Sequence, residues 1–228
     1  METTLQRQKY KIAILGGTGA QGSGVALRLA AAGHAVTIGS RDAARARNAA
    51  AELAARIGKA IGGADNRAAA AAAEIAILTV PYAAQRATVE EVLAELQGKI
   101  LIDATVPLMP PKVSVVQLPE GRSAVAAIQA LAGQNVRVVS AFQNVSAQHL
   151  GDLAHPVDCD VLVCGDDRAA CDTVIALAAD MDLRGLYAGV LVNSAAAEAL
   201  TSVIITINRR YKVPGGAGIR ITGIPESG

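Results

Sequence analysis

The chain has 228 residues, 52% of them hydrophobic and 2% aromatic, with a formal net charge of +1. That balance excludes a polar disordered chain and argues against nucleic acid or an anionic membrane as the main partner. The length fits one large domain, or one domain with a small appendage.

The opening residues METTLQRQKY lack the apolar segment of a signal peptide, and no later stretch reads as a bilayer span, so a cytoplasmic location is expected. Lys11–Leu15 reads as a buried strand running straight into a glycine turn and then a helix. Gly17, Gly19 and Gly22 have the spacing that lets a backbone turn tightly, approach a pyrophosphate, and pack helix against strand. The helix start then offers free N–H groups and a positive dipole end to phosphates. Dinucleotide binding is therefore expected here.

A second strand over 34–38 leads into Gly39, Ser40 and Arg41, with Arg45 about one helical turn later. An acidic residue at this place bonds a ribose 2′-hydroxyl. Here a hydroxyl and two guanidinium groups stand instead, and they suit a 2′-phosphate. The expected nucleotide is NADP rather than NAD. Asp42 is read as the cap of the next helix, Ala43–Ile57.

The remaining pattern alternates strands and Ala-rich helices. Strands are expected at 59–66 (weakly signalled), 74–80, 99–104, 136–142 and 160–164, with helices at 82–96, 123–131, 168–181 and 194–210. A Pro-rich loop of functional length follows the 99–104 strand. This is the order of a Rossmann-type α/β fold: a doubly wound, mostly parallel sheet with a small C-terminal α/β extension. Residues 1–150 would form the nucleotide-binding domain. Residues 151–228 would close the cleft and dimerise, since the 194–210 helix is apolar on too many sides for a lone surface helix. Ligands are expected at the C-terminal strand ends, in the loops 16–22, 39–41, 79–82, 105–109 and 142–147.

Catalytic constellations are nearly absent. His34 begins a strand far from the ligand edge and reads as structural, while His149 and His155 are only loosely near the site. Cys159, Cys164 and Cys171 read as small buried residues, and no metal-like spacing occurs. Asp103 ends a strand and reads equally well as a turn cap. No catalytic side chain is expected, which fits hydride exchange between two redox cofactors better than carbonyl reduction with a proton donor.

The blocks ILGGTGAQGSGVALRLA, IGSR, LTVP and VCGDD, the run from Gly189 to Asn193-Ser194, and the GIRI tail occur in an order that resembles the NADPH:F420 oxidoreductases, or F420-dependent NADP reductases. The resemblance implies hydride transfer between NADP(H) and the deazaflavin coenzyme F420. It implies that Thr18, Gly19, Ala20 and Gln21 hold the pyrophosphate. Ser40, Arg41 and Arg45 would hold the 2′-phosphate, the last being commonly Lys in relatives. Val80 and Ala84 would line the path toward the nicotinamide, with Thr79, Pro81, Gln143 and Val145 also in the cofactor-lining set. Ala147 and Ala217 would lie near the nicotinamide, so the C-terminal tail should fold back over the site. Relatives often carry His where this chain has Gln143, and Gln does not titrate. The other readings are an NADPH reductase of a flavin, carbonyl or imine, and a non-catalytic NADPH sensor.

Overall fold

The computed structural model describes residues 7–121 and 123–224. Eight strands form one sheet in the order β3-β2-β1-β4-β5-β6-β7-β8. They are β1 (Lys11–Leu15), β2 (Ala35–Ser40), β3 (Gly62–Asp65), β4 (Ile75–Leu78), β5 (Ile100–Asp103), β6 (Arg137–Ser140), β7 (Asp160–Gly165) and β8 (Arg184–Tyr187). All pairings are parallel except β6 with β7. The mostly parallel α/β architecture is thus as expected, and the strands after residue 150 extend the same sheet. Strand order reverses about β1, and the crevice at β1 and β4 is where such sheets bind ligands.

The helices are α1 (Ala20–Ala31), α2 (Ala43–Ile57), α3 (Asn66–Ala72), α4 (Tyr82–Glu91), α5 (Ala124–Ala132), α6 (Ala147–Leu150), α7 (Arg168–Asp180) and α8 (Ser194–Tyr211). Both sheet faces are covered, so the central strands are apolar throughout, as parallel strands require. Ile12, Ile14, Ile77 and Ile102 meet Val25 and Leu29 of α1 and Val174 and Leu177 of α7. Ala13, Leu15, Leu78 and Leu101 meet Val89 of α4 and Val125 and Ile128 of α5. Side chains that alternate along a strand therefore supply two separate cores.

Caps fix several helix starts. Asp42 accepts from the amides of Ala44 (2.8 Å) and Arg45 (3.2 Å), Asp65 from Ala68 (2.8 Å), and Asp167 from Ala170 (2.8 Å). α4 is shorter than the expected 82–96. It stops at Glu91, and turns carry the chain on to Gly98, where φ is +75°. α3 and α6 are short helices absent from the sequence reading.

One expectation is corrected. The helical run Leu191–Tyr211 is long and apolar enough to cross a membrane, although a third of its most apolar window is buried inside the protein. Its Ala, Leu, Val and Ile residues outweigh Glu198 and the terminal arginines. Its packing against α5 and the 112–117 loop places it on the body of the fold.

Candidate functional site

The turn between β1 and α1 is held by its own backbone. Gly16 has φ +71°, which favours glycine. The Gly17 amide donates to the carbonyls of Ile14 and Gly39, both at 3.1 Å, tying the turn to β2. A Cβ at Gly22 would lie 2.5 Å from Thr79 Oγ1 and 2.7 Å from Gly17 Cα, so this glycine lets α1 sit against the strand ends. Gly19 is different. It caps α1, it is exposed, and a Cβ there would find only the Gly16 carbonyl, at 4.0 Å. Open space over a 12-residue helix start is what an approaching phosphate needs.

Thr79 and Val80 close the turn from β4. Thr79 Oγ1 donates to the Leu15 carbonyl at 3.1 Å, and Val80 packs on Gly16 so closely that a Cβ there would meet Val80 Cγ1 at 2.3 Å. Pro81 caps α4, and its carbonyl accepts from the Ala84 amide at 2.8 Å. Asn66 was not visible in the sequence. It is buried, and its Oδ1 accepts from the Gly16 amide at 3.4 Å. Only the pairing of β3 with β2 brings it there, and a weakly signalled strand gave no hint of that.

Ser40 ends β2 largely buried, with its Oγ accepting from the Asp42 amide at 3.2 Å. Arg41 and Arg45 are exposed, and among the described residues neither guanidinium group has a hydrogen bond or ion-pair partner. The Asp42 carboxylate beside them is occupied by the α2 cap. A 2′-phosphate at this strand end would meet two unpaired guanidinium groups and a hydroxyl. The residues present fit NADP.

A second group lies beyond β6. Phe142 is buried with φ +74°, the only described aromatic residue in the left-handed region. Such strain persists only where surroundings over-determine it. Here Gln21 Nε2 donates to the Phe142 carbonyl (2.9 Å), Gln143 Nε2 to the Asp103 carbonyl (2.8 Å), and Asn144 Nδ2 to the Ala197 carbonyl (2.8 Å). Gln143 therefore turns its amide onto β5, and its buried Oε1 has no partner among the described residues. Val145 is buried beside it.

The tail folds back, as expected. Ser146 Oγ donates to the Gly215 carbonyl, and the Ala217 amide donates to Asn208 Oδ1 at 2.7 Å. His149 Nε2 lies 3.1 Å from the Gly216 carbonyl, and its ring stacks on His155 at 5.1 Å. Ala147 and Ala217 thus share one neighbourhood. Further along, Asp160 accepts from the Ile221 amide (2.6 Å) and pairs with Arg184 through two 2.7 Å contacts. Burial pushes the Asp160 carboxyl up, but these partners hold it below the usual carboxylate range.

Two buried ionisable residues were missed or undervalued in the sequence. Arg28 of α1 is 4% exposed and donates to five carbonyls: Leu150, Met181, His149, Asp152 and His155. Asp103 is fully buried at the end of β5, and burial pushes its carboxyl up to about 6. His34 is structural, as expected: Nδ1 accepts from the Tyr10 amide (3.2 Å) and Nε2 faces Asp180 (2.9 Å), with burial drawing its pKa down.

Comparison with known proteins agrees with this geometry. Residues 11–107 match the family model for NADP oxidoreductase, coenzyme F420-dependent. The F420-dependent NADP reductase of Methanothermobacter marburgensis is 46% identical over 224 residues, covering 95% of this chain and 100% of that one. The enzyme of the same name from Methanocaldococcus jannaschii is 42% identical, covering 94% and 99%. A crystal structure from Arthrobacter sp. FB24, described as a candidate F420-dependent NADP-reductase, superposes with a TM-score of 0.79 at 28% identity, covering 94% of this chain and all of that one. Identity at this level along the full length, with the glycine turn, the 2′-phosphate-compatible strand end and the folded-back tail in place, shows that the chain belongs to the F420-dependent NADP reductase family.

Proposed function

We infer that the chain transfers a hydride between NADP(H) and the deazaflavin coenzyme F420. The single observation that carries this reading is full-length similarity to F420-dependent NADP reductases on a fold whose β1–α1 turn is open at Gly19. NADP(H) and F420 supply the redox chemistry when bound. The chain's residues bind, align and exclude water. In this reading Thr18, Gly19, Ala20 and Gln21 carry the pyrophosphate, and Ser40, Arg41 and Arg45 the 2′-phosphate. Thr79, Val80, Pro81 and Ala84 form one wall. Gln143, Val145, Ala147 and Ala217 form the other, closed by residues 151–228.

We further propose a cytoplasmic homodimer. The face of α8 turned inward buries Ser194, Ala197, Glu198, Ser202 and, as its one large apolar residue, Ile204. Val203, Ile207 and Tyr211, spaced four apart, are exposed instead. Val115 and Val116 are exposed on the loop that Thr206 and Arg209 hold against α8. An apolar stripe on the outer side of a helix supports a second copy as its cover.

The deciding experiment mixes the protein with NADPH and oxidised F420 and follows F420 absorbance. Bleaching dependent on NADPH is expected. No bleaching with F420, but turnover with a flavin or imine, would replace the acceptor.

A further inference from the structure

Asp103 is buried with no described cation bonded to it. Its Oδ2 accepts from Gln85 Nε2 at 2.7 Å, and its Oδ1 accepts from the Thr105 amide at 2.8 Å. Its carbonyl accepts from Gln143 Nε2 at 2.8 Å and from the Ala141 amide at 3.3 Å. These partners belong to three separate segments at the C-terminal ends of the strands. Gln85 lies one turn into α4, just past the Thr79–Pro81 wall. Thr105 opens the long loop before α5. Gln143 adjoins the strained Phe142 corner.

The charged group that acts on it is Glu198 of α8, also buried. Glu198 accepts from Ser123 Oγ (2.8 Å), Ser194 Oγ (3.1 Å) and the amides of Ala124 (2.8 Å) and Val125 (3.3 Å) at the start of α5. Its capping role is complete without Asp103. The surrounding strands offer Ser140 from β6, the register partner of Asp103, which is uncharged.

An asparagine at this position would avoid burying a charge, but only its Oδ1 accepts, so it would keep one of the two hydrogen bonds from Gln85 and Thr105. A carboxyl does something an amide does not. Ionised, it accepts from both Gln85 and Thr105. Protonated, it turns one oxygen into a donor, and the Gln85 amide must flip to receive it.

We propose that Asp103 is a positioning residue for hydride transfer, joining the 79–85, 105–109 and 141–145 loops so that both walls of the cofactor cleft keep one geometry. It does not touch either cofactor. Its carboxyl is pushed up to about 6 by burial, so the junction changes its hydrogen bonding just below neutral pH.

This proposal rests on the reductase reading, and one experiment separates the two. Wild type, Asp103→Asn and Gln85→Met are compared between pH 5 and pH 8 by steady-state turnover with NADPH and F420, by NADPH titration, and by amide hydrogen exchange. Asp103→Asn is expected to keep NADPH affinity within about twofold while kcat falls about tenfold, and to lose an inflection near pH 6 that wild type shows. Gln85→Met is expected to lose turnover less while keeping the inflection. Exchange in 79–88, 104–110 and 141–146, corrected for intrinsic rates, should change together across that pH range in wild type only. Wild-type turnover and an unchanged inflection in Asp103→Asn would overturn the proposal. If Asp103→Asn does not fold, wild type decides: three segments that exchange independently of pH and of each other in wild type overturn it. If wild type fails to reduce F420, the acceptor reading falls and the exchange data alone judge Asp103.

Discussion

Gln21 Nε2 reaches from the first turn of α1 to the carbonyl of Phe142, 2.9 Å away. The contact joins the nucleotide turn to the strained corner after β6, residues 121 apart in sequence. One side chain thus ties the β1–α1 turn to the segment after β6. The family resemblance implies that Gln21 helps hold the pyrophosphate; its side-chain amide is bonded to the Phe142 carbonyl.

The glycines of the turn differ in what they protect. Gly19→Val is expected to abolish NADPH binding with the fold intact, because the added atoms enter open space where phosphate approaches. Gly22→Val is expected to lower stability by about 1–3 kcal/mol or more, since its Cβ strikes Thr79 and the Gly17 backbone. Thermal melts and NADPH titrations check both. Normal binding by a folded Gly19→Val protein would remove the turn from the phosphate site.

Nucleotide choice should follow Arg41. Arg41→Ala is expected to weaken NADPH by roughly 1.5–3 kcal/mol, the range for a charge-assisted contact, and to spare NADH. Ser40→Asp added to Arg41→Ala should widen the gap through repulsion. Parallel titrations decide; equal losses for both nucleotides would reject a 2′-phosphate pocket.

Asp103 should mark the stability profile. Its carboxyl holds a proton more tightly folded, near pH 6, than at its ordinary 3.8, so the stability linked to it is full below about pH 4 and lost as pH rises through about 6. The difference corresponds to about 3 kcal/mol. The melting temperature of Asp103→Asn relative to wild type is therefore expected to rise between pH 4 and pH 7. A flat difference would mean that burial does not hold the Asp103 carboxyl above its ordinary value.

The outer face of α8 should govern assembly. Val203→Glu with Ile207→Glu is expected to convert a dimer to a monomer with its far-UV spectrum unchanged. Sedimentation at micromolar concentration measures this, and a wild type already at 23.1 kDa would end the proposal.

Neither stacked histidine should be an obligatory acid or base. His149→Ala and His155→Ala are each expected to lower turnover tenfold or less, about 1.4 kcal/mol of barrier. General acid–base residues contribute ~100-fold or more. A loss of that size with NADPH affinity intact would point to proton transfer, as in carbonyl or imine reduction.

The parallel sheet was legible because Lys11–Leu15, 74–80 and 99–104 are apolar runs bounded by turns, and burial on both faces demands such runs. The glycine spacing and the Ser40–Arg41 strand end were legible because backbone approach and charge leave local signatures. Arg28, Asn66 and Asp103 were not legible in the same way. Their partners come from the β1–α1 turn, from residues 149–155 with Met181, and from α4, and no local pattern tells a buried cation on an Ala-rich helix from a solvated one. The Phe142 corner was equally hidden, since a left-handed aromatic residue violates the preference any reading relies on.

Arg28 also has a consequence for how the chain comes into being. Four of the carbonyls that satisfy it lie between His149 and His155, and the fifth is Met181, up to 153 residues downstream. During synthesis, α1 leaves the ribosome well before any of them. Until they arrive, its inner face carries a hydrated cation whose desolvation without those partners opposes burial against β1. The helix that opens the nucleotide site thus completes its packing late. A polypeptide truncated before residue 149 would carry the whole glycine motif and still lack the partners that let α1 settle.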